Sequence, residues 1–554
     1  MKRQELKPGD TILVPRLTLR VQLLLAVTAS VALSSLSITG AAAQSAKTMK
    51  QEIESSRQAD ERIHKIEEDS VLIPQGANEP PLKLNLRQFM ELANVSQLSV
   101  AVIENYKIDW AKGYGVTDSG APVTPHTLFQ AASISKPVST LAALRLVEQG
   151  KLSLDEDVNL KLKSWKVPEN EYTKNQKVTL RRIFTHTAGT TIHGFLGYKP
   201  GQPLPTLVQM LDGEEPANSK PVRVDFVPGT KQRYSGGGFL VLQQLMIDVT
   251  GKPYPQIMRD LVLDPLGLPD STYEQPLPSA RVAAAASGRD RNGEPLTQKW
   301  NVLPEMALGG LWTTPSDLGR IGIEVALSDH GKSNRVLSES MTREMLRLQV
   351  DPNIESPDGY TMRMGLGWFL GDESDPGRFE HGGVNVGFIS EFVMWDSGHG
   401  VAVMLNNWSN LGQSVARSLI GNIAKEYGWN YVRPKPAAND VLVIVAKVKG
   451  PEAAIRAYGD LKKNHSSEYA FGDLDLNQFG YELLGANKID EALQAFKLNV
   501  EQYPANWNAY DSLGEAYMKA GQTSLAIQNY EKSLELNPKN QDGAEMLKKL
   551  KGQN

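Results

Sequence analysis

Cysteine is absent from this 554-residue chain. Its absence excludes disulfide staples, a catalytic thiol and thiolate metal sites. A basic excess is missing too. The formal net charge is −4, so nothing in the composition suits tracking nucleic-acid phosphates. His-Glu-x-x-His and Gly-x-Ser-x-Gly do not occur, which argues against a helical zinc protease and an α/β-hydrolase. Gly331-Lys332-Ser333 imitates a phosphate loop, but Ala326 stands where its upstream glycine is needed. His186 and His193 are too isolated to suggest a metal, so one is expected to pack and the other to be exposed. What is present is enough apolar material, at 41% of residues, to build sizeable cores.

Long apolar runs are confined to one place. Lys2, Arg3, Lys7, Arg16 and Arg20 precede the uncharged run Val21–Gly40, and Ala41-Ala42-Ala43 follows it. This order of basic, apolar and small residues predicts a signal peptide over 1–43, cleaved to leave Gln44 first. The chain is then exported, periplasmic or secreted, and meets a membrane only if the signal is uncleaved. Residues 44–81 are charged and read as a helical leader and linker.

From residue 82 the pattern is globular. Gln97–Tyr106 and Lys107–Val116 read as paired strands, as do Gly387–Asp396 and Gly400–Asn407. Between them lie helical patterns such as Ser139–Gln149 and Phe239–Val249. Strands at both ends of a helical middle predict an α+β fold: one antiparallel sheet built from both termini, flanked by helices, with a helical region inserted. The expected domain spans 82–430, with a helical connector over 431–470.

Residues 471–554 carry a repeat. Gly480, Leu483, Ala492, Phe496 and Pro504 recur as Gly514, Tyr517, Ala526, Tyr530 and Pro538, each 34 residues on. That is the tetratricopeptide period, and it predicts a C-terminal all-α repeat domain. A weaker copy of the second-helix pattern stands at Ala454, Ile455 and Tyr458. Because so few repeats are marginal alone, the array is expected to lean on the 439–463 segment, the main domain or a partner.

Three segments carry candidate chemistry. Ser133-Ile134-Ser135-Lys136-Pro137 falls where a helix begins. Positions i and i+3 share a helix face, so Lys136 can reach Ser133. A serine hydroxyl needs a base, and lysine serves only where burial lowers its pKa. Alone, the motif also fits a capping serine and a surface lysine. Tyr234 precedes Ser235-Gly236-Gly237-Gly238, a glycine-rich turn that can hold its hydroxyl in a cleft. A half-buried structural aromatic is the other reading. Glu380-His381-Gly382-Gly383-Val384 stands just before the last hairpin. Its glycines permit close backbone approach and a free N–H for an oxyanion, as would an ordinary tight turn.

In this order and spacing the segments resemble the serine β-lactamase and penicillin-binding-protein superfamily, nearest to class C β-lactamases, esterases of that fold, D-aminopeptidases and DD-peptidases. Supporting segments are Ile183–Gly189, Pro228-Gly229-Thr230, Gly309–Leu318 and Gly365–Trp368. The resemblance implies that Ser133 is acylated, Lys136 is its base and Tyr234 assists proton transfer. It further implies that the N–H groups of Ser133 and Val384 form an oxyanion hole, and that His381-Gly382-Gly383 replaces the family's Lys-Thr-Gly. It implies no metal and no cofactor. Two departures stand out: His381 for the lysine that grips a substrate carboxylate, and Gly236 for the asparagine of Tyr-x-Asn. The expected activity is therefore an exported serine hydrolase of a small ester, amide or peptide, of esterase or D-amino-acid peptidase type. A true β-lactamase or DD-carboxypeptidase would need another cation. A non-catalytic receptor with a protein partner on its repeats is the remaining reading.

Overall fold

The computed structural model describes residues 57–69, 71–74, 79–357, 359–432 and 434–552. The signal peptide expected over 1–43 lies outside the described residues. The chain divides into two units, 1–64 and 65–554. Of the first, residues 57–64 are described and helical. The second unit carries the sheet, the site and the repeats. Among the described residues no helix is long and apolar enough to cross a membrane.

The central element is a six-stranded antiparallel sheet. Its strands are β1 (Gln97–Glu104), β2 (Lys107–Gly115), β3 (Phe369–Leu370), β4 (Arg378–Asn385), β5 (Phe388–Trp395) and β6 (Gly400–Leu405). They lie in the order β2-β1-β6-β5-β4-β3. The two N-terminal strands thus join the four C-terminal ones through β1 and β6, with Val100 opposite Val403. This is the expected sheet built from both ends of the domain, with the helical region inserted between.

β1, β5 and β6 are buried along nearly their whole length. The reason is that both sheet faces are covered. On one face, helix α3 (Pro315–Asp329) sets Gly322 against Phe392 and Met394. On the other, α4 (Asn410–Tyr427) reaches Glu391 through Gln413 and Arg417. The helical region contributes α1 (Ser135–Glu148) and α2 (Gly236–Thr250), both almost entirely buried. Helices buried all round show little amphipathic pattern, so these two are defined by their ends. Gly251 closes α2 in the left-handed conformation at φ 67°.

Two boundaries differ from expectation. The 44–81 leader is not all linker: Val71–Ile73 pairs antiparallel with Leu82–Leu84. The 431–470 segment is not a plain connector either. It folds into α5 (Ala438–Lys449) and α6 (Pro451–Asn464), an antiparallel pair that stacks under the repeats. Buried Ala454 and Tyr458 on α6 match Ala492 and Phe496 on α8 (Ile489–Gln502), then Ala526 and Tyr530 on α10 (Thr523–Leu536). The first helices of the later pairs are α7 (Asp475–Gly485) and α9 (Trp507–Lys519), and α11 (Gln541–Leu550) closes the stack. Three pairs share one continuous core, which answers how so short an array is stable.

Gly480 shows why the repeat demands a small residue. A Cβ there would sit 2.6 Å from ring carbons of buried Phe496. Gly480→Ala is expected to destabilise the array by about 1–3 kcal/mol. Gly485, with open space around it at the end of α7, is the control, and its alanine variant should be neutral or slightly stabilising. Thermal unfolding of the two variants checks the contrast.

Candidate active site

The chain enters α1 through a strained turn. Ala132 adopts φ 48°, a left-handed conformation costly for a residue with a side chain. Ser133 follows within a 3-10 turn over Ala132–Ile134 and is only partly buried. Lys136 lies in the first turn of α1 and is 1% exposed. Its Nζ sits 2.9 Å from Ser133 Oγ and donates to the carbonyl oxygen of Leu308 at 3.1 Å. The i, i+3 spacing does bring the two groups together.

The surroundings of Lys136 are apolar or aromatic. Its Nζ lies 4.9 Å from the centroid of the Tyr234 ring and 5.8 Å from that of Phe239. Among the described residues no carboxylate pairs with it. Burial lowers its pKa from 10.5 to about 7. The turn is braced from behind. Ser135 Oγ accepts from Leu311 N–H, and Ser139 Oγ donates to Ala307 O.

Tyr234 precedes α2, whose N-cap is Ser235. The glycine-rich segment is thus the first turn of a helix and not a free turn. Tyr234 hydrogen-bonds Ser133, while burial raises its pKa, so it is a phenol and not a phenolate at neutral pH. Gly236, which stands where the resembled family has an asparagine, has no side chain to offer a substrate. Its N–H is spent on His193 O at 3.0 Å, and a Cβ would meet that same oxygen.

The 380–384 segment is also not a turn before the hairpin. It is strand β4 itself. Gly383 faces the nucleophile turn so closely that a Cβ would stand 2.3 Å from Ala131 O and 3.0 Å from Ser133 N. Val386 and Gly387 form the two-residue turn closed by Asn385 and Phe388. Bonded and non-bonded pairs alternate along an antiparallel ladder. The next pair, Val384–Ile389, is therefore non-bonded, and Val384 N–H points off the sheet edge. Asn385 Nδ2 donates to Gln130 Oε1 and Gly309 O, and Ser390 Oγ donates to Ala131 O. These bonds fix the strand to the turn that carries Ser133.

His381 is 2% exposed, and burial together with Lys136 lowers its pKa to about 3. It is neutral at physiological pH. Its ring packs at 4.8 Å on Phe369 and 6.4 Å from Tyr234.

Sequence reasoning missed the other two imidazoles. As expected, His186 is buried and His193 exposed. Yet both pack on Tyr234, at 4.3 and 4.8 Å between centroids. His186 Nδ1 accepts from Ser235 N–H, and burial holds its pKa well down. The site thus groups three histidines around one phenol. Separations of 7 and 188 residues along the chain hid the cluster, and only the positive φ of His186 (59°), a local feature of the fold, marks it.

Fold and Ser–Lys pair together define a class: a β-lactamase-fold serine hydrolase with C-terminal helical repeats. Residues 82–423 match the Beta-lactamase family model, and the chain belongs to that family. Residues 507–540 match the Tetratricopeptide repeat model. The chain is 26% identical over 315 residues to Penicillin-binding protein 4 of Amycolatopsis lactamdurans, covering 55% of this chain and 80% of that one. It is 26% identical over 291 residues to the D-alanyl-D-alanine-carboxypeptidase/endopeptidase AmpH of Escherichia coli K12, covering 51% and 72%. It is 26% identical over 226 residues to the teichoic acid D-alanine hydrolase of Staphylococcus aureus, covering 40% and 52%.

A base with a pKa of about 7 sets a pH profile. The working form is the deprotonated amine, which loses population tenfold per unit below its pKa. Labelling of Ser133 by a fluorophosphonate should rise with pH up to about 7 and level above it. A profile still climbing through pH 9 would mean an ordinary, solvated lysine.

Proposed function

We propose that the protein is an exported hydrolase that cleaves an ester or amide through an acyl-Ser133 intermediate, of esterase or D-amino-acid peptidase type. The observation that carries this reading is Lys136 Nζ, buried and 2.9 Å from Ser133 Oγ. Ser133 Oγ attacks the substrate carbonyl as Lys136 takes its proton. The N–H groups of Ser133 and Val384 stabilise the developing oxyanion. Tyr234, a phenol in contact with Ser133, relays the proton to the departing alcohol or amine. Water then enters by the reverse route, with Lys136 as base, and releases the acid and free Ser133.

D-Alanine chemistry is named for two of the relatives, once on an amide and once on teichoic acid. A true β-lactamase or DD-carboxypeptidase is the weaker reading, because neutral His381 supplies no charge to grip a carboxylate. The repeats fit docking of a protein partner, separate from the hydrolytic step.

Intact mass spectrometry tests the reading. A fluorophosphonate or penicillin probe should add one adduct to the wild type and none to Ser133→Ala. No adduct, or one that survives the substitution, contradicts it.

A further inference from the structure

Tyr234 can pass a proton only while its hydroxyl stays on Ser133, and one residue holds the chain on both sides of it. The carbonyl oxygen of His186 accepts from Arg233 N–H at 2.9 Å. The ring Nδ1 of the same residue accepts from Ser235 N–H at 3.1 Å. Both neighbours of Tyr234 are thus tied to His186. The imidazole also lies against the Tyr234 ring, with 4.3 Å between centroids.

The conformation that makes this grip is strained. His186 is buried and adopts φ 59°, in the left-handed region that a side chain disfavours. Strain of this kind persists where the surrounding structure over-determines it, and it clusters at functional sites. The grip also depends on where the ring proton sits. A nitrogen that accepts from an N–H carries no proton, so the proton is on Nε2. A second proton would turn Nδ1 into a donor facing Ser235 N–H, and that N–H would lose its partner inside the protein. Burial, and then the charge of Lys136, opposes the second proton.

We infer that His186 is a positioning residue for the hydrolytic step: its carbonyl oxygen and its unprotonated Nδ1 fix the backbone on both sides of Tyr234 and keep the phenol hydroxyl on Ser133. This rests on the acyl-serine reading. The proton that Lys136 takes from Ser133 Oγ passes through the Tyr234 hydroxyl to the departing oxygen. The carbonyl–oxygen bond breaks with its electron pair on that oxygen, and a neutral alcohol leaves. His186 takes no part in this transfer itself. Its effect is confined to leaving groups that need the proton, whereas a ring that only filled space would serve all substrates alike.

Two acetate esters of similar size test this on the full chain. p-Nitrophenyl acetate releases nitrophenolate without a proton, while the alkoxide of benzyl acetate must be protonated to leave. His186→Phe keeps a ring but no acceptor. His186→Asn keeps an acceptor where Nδ1 stands and suits a left-handed backbone. We expect His186→Phe to lower kcat/KM for benzyl acetate by about tenfold or more, and for p-nitrophenyl acetate by about threefold at most. His186→Asn should stay within about threefold of the wild type on both esters. In a Tyr234→Phe background His186→Phe should add no further loss, because it acts through that hydroxyl. Equal losses on the two esters overturn the inference, as does a full additional loss in the Tyr234→Phe background. So does a loss of about tenfold on benzyl acetate in His186→Asn. Should His186→Phe fail to fold, nitrogen-15 spectra of the histidine-labelled wild type decide, with His186→Asn assigning the signal. An unprotonated Nδ1 is expected there, and a protonated one overturns the inference. Absence of a fluorophosphonate adduct at Ser133 overturns the acyl-serine reading and this inference with it. An adduct without turnover of benzyl acetate overturns the inference alone.

Discussion

A primary amine that has no counter-ion among the described residues, set among aromatic rings and backbone, is the feature on which the rest of the site depends. Lys136 reaches water with 1% of its surface and has one carbonyl and one hydroxyl for company. A drop in pKa from 10.5 to about 7 corresponds to about 5 kcal/mol against its charged form. Nothing local to the helix could impose that. It needs α1 to be buried, by the short Met306–Gly309 helix and the 254–263 segment along its length and by Phe239 of α2 beside the amine. The architecture around α1 is therefore part of the chemistry: it keeps a base uncharged beside an alcohol.

The same dryness governs the neighbouring groups. It keeps Tyr234 a phenol and His186 and His381 neutral. The cleft carries little fixed charge, so recognition there is by hydrogen-bond direction more than by ion pairing. The strain at Ala132 and the bare Gly383 have a common purpose. Together they let β4 pass close against the turn that carries Ser133.

Much of this is legible in the amino-acid order. Alternating and β-branched runs locate β1, β2, β5 and β6, and their placement at both ends of the domain predicts the sheet. The 34-residue offset locates the repeats. The i, i+3 rule places Lys136 on Ser133. What the sequence hides has physical reasons. β4 carries His-Gly-Gly, which lacks strand-forming side chains, and it holds as a strand because β5 pairs with it along its length. The glycines after Ser235 have poor helix propensity, yet burial against Thr191 O and Val222 fixes them as the first turn of α2. The α5–α6 pair is hard to see because its sequence keeps only the second-helix half of the repeat. His186 and His193 look isolated because proximity to Tyr234 arises from the fold, not from spacing.

The central claim is that Lys136 has its charged form so disfavoured that it titrates near neutral pH. Its most direct test is a titration of the wild-type protein labelled with carbon-13 at the lysine ε position, with Lys136→Arg used to assign its signal. The account predicts one lysine that changes charge near pH 7, far from the others. A Lys136 signal that titrates near pH 10.5 with the surface lysines would contradict it.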